Sequence, residues 1–510
     1  MTVDHDRWQY PGCPFLADRA SADRPTPGGG RLRNEADAAM DGLSEAVGLI
    51  SQVRPCRDAS TSSTDAAMHL HADTAPRAGP ATAVGHQPGI PLLGVGMRFL
   101  VLNRTPLIQR RYDRFFGDAH EVVLITDAAA VPADAEERDA VLAGYAHVEI
   151  VKDFHFNADV ELLALELHEK WGFERLIAVS EFDLLRGARL RTFMGIAGQS
   201  PHDVTAFRDK FAMKSILQEA GVPVLPFAAV THATDLLGFV VEHGYPLVVK
   251  PRRGGGSMDI EVLRSPDDLP ELLARHPELG TDDGGQLLVE TYLDHELFHI
   301  DGVLRGGEVQ LVWPSSQGDT TCLDIRQGRS IRSALMDPED PLAEPLREMT
   351  LKALAALPAP DDCVFHAEVF RDQGGKAGLV FNEIAARMGG GLIEEMIELG
   401  FGVRLPEFHI RSLSANNPPL LPERPLRMAG LMLFPPRPGT LVDVPDRCPV
   451  PGVSAYNQHA KPGTVLTGAL LSTEKIASVL VTGTSRQDVE RILAEVHDWF
   501  HEHTVIADPA

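Results

Sequence analysis

The chain has 510 residues, 44% hydrophobic and 23% charged, which is ordinary globular composition and enough for two or more domains. Its formal net charge of -25 argues against nucleic acid or an anionic membrane as the main partner. There is no run of about 18 apolar residues, so no transmembrane helix is expected, and MTVDHDRWQYPGCPF lacks the apolar core of a secretory signal.

Residues 1–95 read as a low-complexity, disordered tail. No aromatic residue occurs between Phe15 and Phe99, and PTPGGG, DASTSSTD and APRAGPATAVGHQPG have linker composition. Within the tail, Met40, Leu43, Val47 and Ile50 recur at helical spacing, which fits a short docking helix or a transient one equally. The five cysteines (Cys13, Cys56, Cys322, Cys363 and Cys448) are scattered and form no CxxC pair. That usage suggests a reduced, cytoplasmic chain without a disulfide framework.

From residue 97 to 200 short apolar strands alternate with helical stretches: MRFLVLNR, EVVLITD, HVEIVKDF and RLIAVSEFD, with DVELLALELHEKWGF between the last two. Such alternation predicts a parallel sheet with crossover helices, a Rossmann-like unit. No GxGxxG follows its first strand, so a dinucleotide site is not expected. Residues 201–425 are mixed. The helix DKFAMKSILQEAG stops at Gly221, the strand YPLVVKP leads into RRGGGS, and VFHAEVFRD and GLVFNEIAARMGGG follow later. The last section, 426–510, reads as strands from MAGLMLF onward, closed by the helix ILAEVHDWFHE. The expected fold class is therefore α/β overall.

One stretch, HELFH at His295–His299, matches the zinc-metalloprotease pattern H-E-x-x-H. The pattern binds zinc only on a helix, where positions i and i+4 share a face. The surrounding QLLVETYLDHELFHIDGVLRGGEVQLVW interleaves β-branched and aromatic residues with polar ones and breaks at Gly306-Gly307, which is hairpin grammar. On a strand the two imidazoles lie roughly 13 Å apart, too far for one zinc.

The residue types that carry chemistry lie elsewhere. Lys250 ends an apolar strand, and RRGGGS follows. Glycines there free the backbone to approach an anion, and with Lys250 they suit a polyphosphate, although a Gly-rich hairpin turn fits equally. The Lys-then-Gly order is not that of a Walker A loop. Glu368 in VFHAEVF and Glu383 in LVFNEIAARMGGG put charge into apolar strands, which is costly unless paired or metal-bound. Arg387 stands four residues beyond Glu383, beside a run of glycines, where a guanidinium can stabilise a transferring phosphoryl group or form an internal salt bridge.

Taken together these residues resemble the ATP-grasp carboxylate–amine ligases, over about residues 97–505. The resemblance implies a Rossmann-like domain at 97–200, a two-lobed nucleotide-binding ATP-grasp domain at 201–425, and a C-terminal α+β section at 426–510 that completes the ligase. It also implies a set of roles. Lys210 and Lys250 hold the ATP phosphates under a flexible loop that includes Gly254, Gly255, Gly256 and Ser257. Glu290 accepts from the adenine amino group, the backbone near Leu293 holds the ring edge, and Glu296 binds the ribose hydroxyls. His295 and His299 are then spectators. Glu368 and Glu383 hold Mg2+ (or Mn2+), and Arg387 orients the substrate carboxylate. Glu181, Gly389 and Gly390 face the substrate.

Many members read E-x-N-x-R at the metal site, whereas this chain has Glu383-Ile384-Ala385-Ala386-Arg387. Ala385 offers no ligand, and Asn382 is out of register for the role, which leaves the coordination of a second Mg2+ open. The E-I-A-A-R form and AGLMLFPPRPGTL are similar to the L-amino acid ligase branch. That branch implies amino acid or peptide substrates, and a homodimer is the family's habit. The alternatives are another acyl-phosphate ligase of the carboxylase type, for which there is no biotin-carrier lysine motif, and a nucleotide-binding regulator without turnover. Specificity is expected in the loop WPSSQGDTTCLDIRQGRS, where Arg326 and Arg329 read as carboxylate ligands or as solvated surface residues.

Overall fold

A computed structural model describes residues 96–508, apart from 117–118, 319, 376 and 415–417. The expected tail and its helix at 34–53 lie outside the described residues. Among the described residues no helix is long and apolar enough to cross a membrane.

Strands β1 (Arg98–Asn103), β2 (Glu121–Asp127), β3 (His147–Val151) and β4 (Arg175–Ala178) form a parallel sheet in the order β3-β2-β1-β4. Alternate residues of β1 serve two cores. Leu100 and Leu102 pack with Phe154, Val160 and Leu167, while Phe99 and Val101 pack with Tyr112 and Phe116. Burial on both faces explains the continuous apolar runs in the sequence. The chain runs outward from β1 through β2 to β3 and then returns to the other side of β1 with β4. The carboxyl ends of β1 and β4 therefore flank the point where strand order reverses, the usual place for a ligand crevice in such sheets. Glu181 leaves the sheet just after β4.

A second, antiparallel sheet holds β5 (Phe227–Val230), β6 (Leu247–Pro251), β7 (Glu261–Leu263) and β8 (Leu287–Thr291) in the order β5-β8-β6-β7. Val248 pairs with Glu290, which makes Lys250, two residues on, a same-face diagonal neighbour of Glu290.

The third sheet has eight strands in the order β13-β12-β9-β10-β11-β14-β18-β16. Its members are β9 (His295–Arg305), β10 (Glu308–Gly318), β11 (Ile331–Leu335), β12 (Cys363–Asp372), β13 (Leu379–Ala385), β14 (Met428–Phe434), β16 (Val453–Gln458) and β18 (Ala477–Gly483). A small sheet of β15 (Gly439–Asp443), β17 (Val465–Leu466) and β19 (Val505–Ala507) lies outside it. The sequence boundary drawn at 425/426 thus falls inside one continuous sheet, because β14 pairs with β11 along Ile331–Ala334. The helix Arg486–His503 covers this region with Val489, Leu493, Val496 and Phe500.

HELFH opens β9, in a strand as the residue pattern indicated. The β9–β10 hairpin turns at Gly306 and Gly307, with φ of 59° and 77°. Both central residues are left-handed, as the turn that matches strand twist demands, and glycine adopts that conformation without strain.

Candidate active site

The helix Lys210–Glu219 is anchored at its start by Asp209, whose carboxylate accepts from the backbone N–H groups of Phe211 and Ala212. The same carboxylate holds Arg252 at 2.7 Å, and Lys210 N–H donates to Arg252 O at 2.9 Å. One N-cap thus ties the helix to the residue before the glycine loop. Lys210 Nζ then reaches Gly254 O at 3.0 Å and Glu383 Oε2 at 2.9 Å.

One turn later, Lys214 points into a sealed pocket. Its Nζ lies 3.0 Å from Glu290 Oε2, and Lys250 Nζ lies 2.5 Å from Glu290 Oε1. Burial pushes the Glu290 carboxyl up, but Lys214 and Lys250 outweigh it and hold it down at about 2. Each carboxylate oxygen of Glu290 lies against an ammonium group, so in this geometry it positions two lysines. Lys214 is absent from the residues picked out by sequence. Its signal was its place four residues after Lys210, on the same helical face.

Glu368 and Glu383 are direct register partners on β12 and β13. Burial raises the Glu383 carboxyl, yet Lys210 and then Lys250 pull it to about 2. The ladder shifts just beyond this pair: Glu368 faces Glu383, but Val369 faces Phe381. Asn382 is the extra residue of a bulge, and a bulge re-aims a side chain. Its Nδ2 donates to Glu368 Oε2 at 2.8 Å, and its Oδ1 accepts from Lys250 Nζ at 3.4 Å. Strand alternation put Asn382 out of register; the bulge turns it into the site. Paired carboxylate oxygens, one already balanced by a lysine ammonium, are the donor set that a hard divalent cation prefers.

Arg387 and Arg208 both pair with the Glu181 carboxylate. Burial raises that carboxyl, but Arg387 and Arg208 bring it below its ordinary value. Glu181, at the strand-order reversal of the first sheet, is thereby joined to the arginine that follows β13. Gly389 lies where an added Cβ would sit 2.7 Å from His366 Nδ1, so only glycine lets this loop pass the imidazole. An added Cβ at Gly390 would lie 3.2 Å from Thr473 Cγ2.

In the glycine loop, Gly256 and Ser257 take φ of 64° and 62°, and Gly255 lies against Glu181. Gly256 O accepts from Ser472 N–H at 3.1 Å. Arg326 donates to Ile260 O at 2.8 Å and Ser257 O at 3.3 Å, so it braces the loop rather than facing a carboxylate; Arg329 pairs with Asp324. In the linker after β8, Leu293 O lies 2.7 Å from His295 Nδ1, and Glu296 pairs with Arg371. His295 packs against Phe370, with ring centroids 3.8 Å apart and the planes tilted by 33°. His299, expected to be a spectator, is built into a buried hydrogen-bond chain with Asp301 and Ser333.

With this geometry in view, the likenesses to known proteins are specific. Residues 209–349 match the family model described as carbamoyl-phosphate synthase L chain, ATP binding domain. The L-arginine-specific L-amino acid ligase of Bacillus subtilis is 26% identical over 416 residues, covering 80% of this chain and 98% of that protein. The crystal structure of L-amino acid ligase from Bacillus licheniformis superposes with a TM-score of 0.62 at 18% identity, over 82% of this chain and 100% of that one. The biotin carboxylase domain of Hydrogenobacter thermophilus 2-oxoglutarate carboxylase, solved with MgADP and bicarbonate, gives 0.58 at 19% identity over 81% of this chain and 91% of its own. The chain is similar to the ATP-grasp ligases in its fold and in its matched ATP-binding segment. Within that class the chain is similar to the L-amino acid ligases along nearly all of its described length.

Proposed function

We propose that the protein joins the carboxylate of one amino acid to the amino group of another amino acid or short peptide, using ATP. The observation that carries this reading is the facing of Glu368 and Glu383 on adjacent strands, with Lys210, Lys250 and Arg387 converging on them. Lys210, Lys250 and the loop Gly254–Ser257 bind the phosphates. The linker at Leu293 and Glu296 takes the nucleoside, while Glu290 keeps Lys214 and Lys250 in place. Glu368 and Glu383 hold Mg2+ or Mn2+, which when bound neutralises charge on the phosphates.

Chemistry follows in two steps. A carboxylate oxygen of the first substrate attacks the γ-phosphorus and ADP leaves, giving an acyl phosphate. The amine nitrogen of the second substrate then attacks the carbonyl carbon. Phosphate departs with the former carboxylate oxygen, and the amine gives up a proton as the amide forms. Arg387 orients the carboxylate and meets the developing charge. In this structure its guanidinium is held by Glu181, so Glu181 sets the angle at which it addresses substrate.

The likeness to the arginine-specific ligase of Bacillus subtilis supports free amino acids as the substrate class. The unbridged Cys363 and Cys448 support a reduced, cytoplasmic setting, and the biotin carboxylase domain dimer supports a homodimer. The test is phosphate release from ATP and Mg2+ across pairwise mixtures of amino acids, with Glu383→Ala in parallel. Release that requires one carboxylate and one amine, and that is lost in the variant, is the expected result. ATP binding without release in any mixture would instead favour a nucleotide-binding regulator.

A further inference from the structure

We propose that His366 is a nitrogen ligand of the divalent cation held by Glu368 and Glu383, in the place that Ala385 leaves without a donor. The proposal rests on the reading of those two glutamates as metal ligands.

The β12–β13 ladder supplies the placement. His366 pairs with Ala385 and Glu368 with Glu383, and the bulge begins only after Glu368. Regular pairing over this stretch keeps all four side chains on one face of the sheet, with neighbouring Cβ atoms about 5 Å apart. The position that is asparagine in the E-x-N pattern is here a methyl group, and the side chain directly across from it is an imidazole. Asn382 does not replace the missing donor, because its oxygen is taken by Lys250 and its amide by Glu368.

His366 Nε2 lies 3.9 Å from Glu368 Oε1. Two donors each about 2.1 Å from a common ion are separated by roughly 3 to 4 Å, so the pair spans one cation without backbone movement. Behind the ring, His366 Nδ1 is 2.8 Å from Asp301 Oδ1. Asp301 is fully buried, and its other oxygen takes His299 Nδ1 at 2.7 Å. His299 Nε2 in turn meets Ser333 Oγ at 2.6 Å. A carboxylate behind an imidazole fixes the tautomer and the ring, and it raises the basicity of the forward nitrogen, which is the arrangement found behind metal-bound histidines. His299, Asp301 and His366 also lie close enough to suggest a metal group of their own. However, each Nδ1 is at hydrogen-bond distance from the same carboxylate, so the trio reads as the support and Nε2 of His366 as the ligand. A nitrogen donor moves the preference of the site away from Mg2+ and toward Mn2+.

Mn2+ is the probe. The full chain is labelled with 15N only in its histidines, loaded with Mn2+ and a non-hydrolysable ATP analogue, and examined by pulsed electron paramagnetic resonance. The expected result is histidine 15N coupling to Mn2+ in the wild type that disappears in His366→Asn, a change that leaves an oxygen donor. Asp301→Asn, which keeps His366, is expected to weaken Mn2+ binding about tenfold or more. Mn2+ that binds without histidine coupling, or with coupling that survives His366→Asn, overturns the proposal and leaves the ligase reading standing. If the wild type binds no Mn2+ at all, both fall. The wild-type spectrum decides the matter even where a variant fails to fold.

Discussion

Lys210 and Lys214 sit four residues apart on one helix, yet they belong to different parts of the molecule. Lys214 is fully buried and ends on Glu290, in a closed pair, while Lys250 lies between that pair and Asn382 of the carboxylate group. Lys210 is partly exposed and ends on Glu383, in the group of carboxylates that faces the cleft. The Lys214–Glu290 pair has its charges matched within the fold, and its contribution is rigidity. The open group is matched only provisionally: Lys210 and Asn382 each cover an oxygen that a cation would claim. Charge with a permanent partner supports a structure, whereas charge with a displaceable partner can bind and react. Substitutions in the open group should therefore cost mainly activity, and substitutions in the Lys214–Glu290 pair should cost mainly stability.

The sharpest contrast should come from Glu383→Ala. Removing the proposed cation ligand should remove several kcal/mol of charge stabilisation at the transferring phosphoryl group, so phosphate release per folded molecule should fall by about a thousandfold or more. Arg387→Ala is next. Loss of one preorganised donor at a developing charge typically costs about 100-fold to 1000-fold in turnover. The loss should appear in kcat more than in the KM for ATP, because the role proposed for Arg387 is to orient the substrate carboxylate, held in place by Glu181, and not to bind the nucleotide.

Lys214→Met should behave in the opposite way. Breaking a buried ion pair by removing one partner costs about 3 to 5 kcal/mol, which denaturant unfolding would register as a lower midpoint. A turnover loss in the folded fraction as large as that of Glu383→Ala would erase the distinction between the two groups.

The depressed Glu290 carboxyl also predicts an acid limb. The folded carboxyl of Glu290 is held near 2 against an ordinary 4.5, so between these values the unfolded chain binds a proton that the folded chain does not. The contribution is complete above about 4.5 and is lost as pH falls toward 2. Its slope is about 1.4 kcal/mol per pH unit, and Glu290→Gln should flatten that limb of the stability profile. The smallest expected effect is that of Glu296→Gln. Glu296 pairs with Arg371 at the partly exposed edge of the linker, so losing its charge should raise the KM for ATP only a few-fold, consistent with about 1 kcal/mol for a partly solvated contact.

Much of this architecture was legible from the residues. Alternating apolar runs gave the parallel sheet, the glycine pair at 306–307 gave the hairpin that removed the zinc reading of HELFH, and charges inside apolar strands marked Glu368 and Glu383. What stayed hidden depended on pairing between distant strands. Asn382 looked misdirected because alternation assumes a regular ladder, and the bulge beside Glu368 breaks it. Lys214 looked like an ordinary polar residue of an amphipathic helix, since nothing local shows that β6 and β8 bring Lys250 and Glu290 to it. The division at 425/426 followed the order of elements along the chain, whereas strand pairing carries one sheet straight across it. His366 stood in the quoted HAEVF, but its support by Asp301 and its place opposite Ala385 appear only when β9, β12 and β13 lie side by side.

The central claim is that a substrate carboxylate attacks ATP and leaves as part of the phosphate. It is tested most directly with an amino acid labelled with 18O in its carboxylate, an amine co-substrate identified by phosphate release, and mass spectrometry of the phosphate formed. The account predicts one 18O atom in each phosphate released, with the other retained in the amide product. Unlabelled phosphate formed alongside amide would contradict it, because the carboxylate would then never have been phosphorylated.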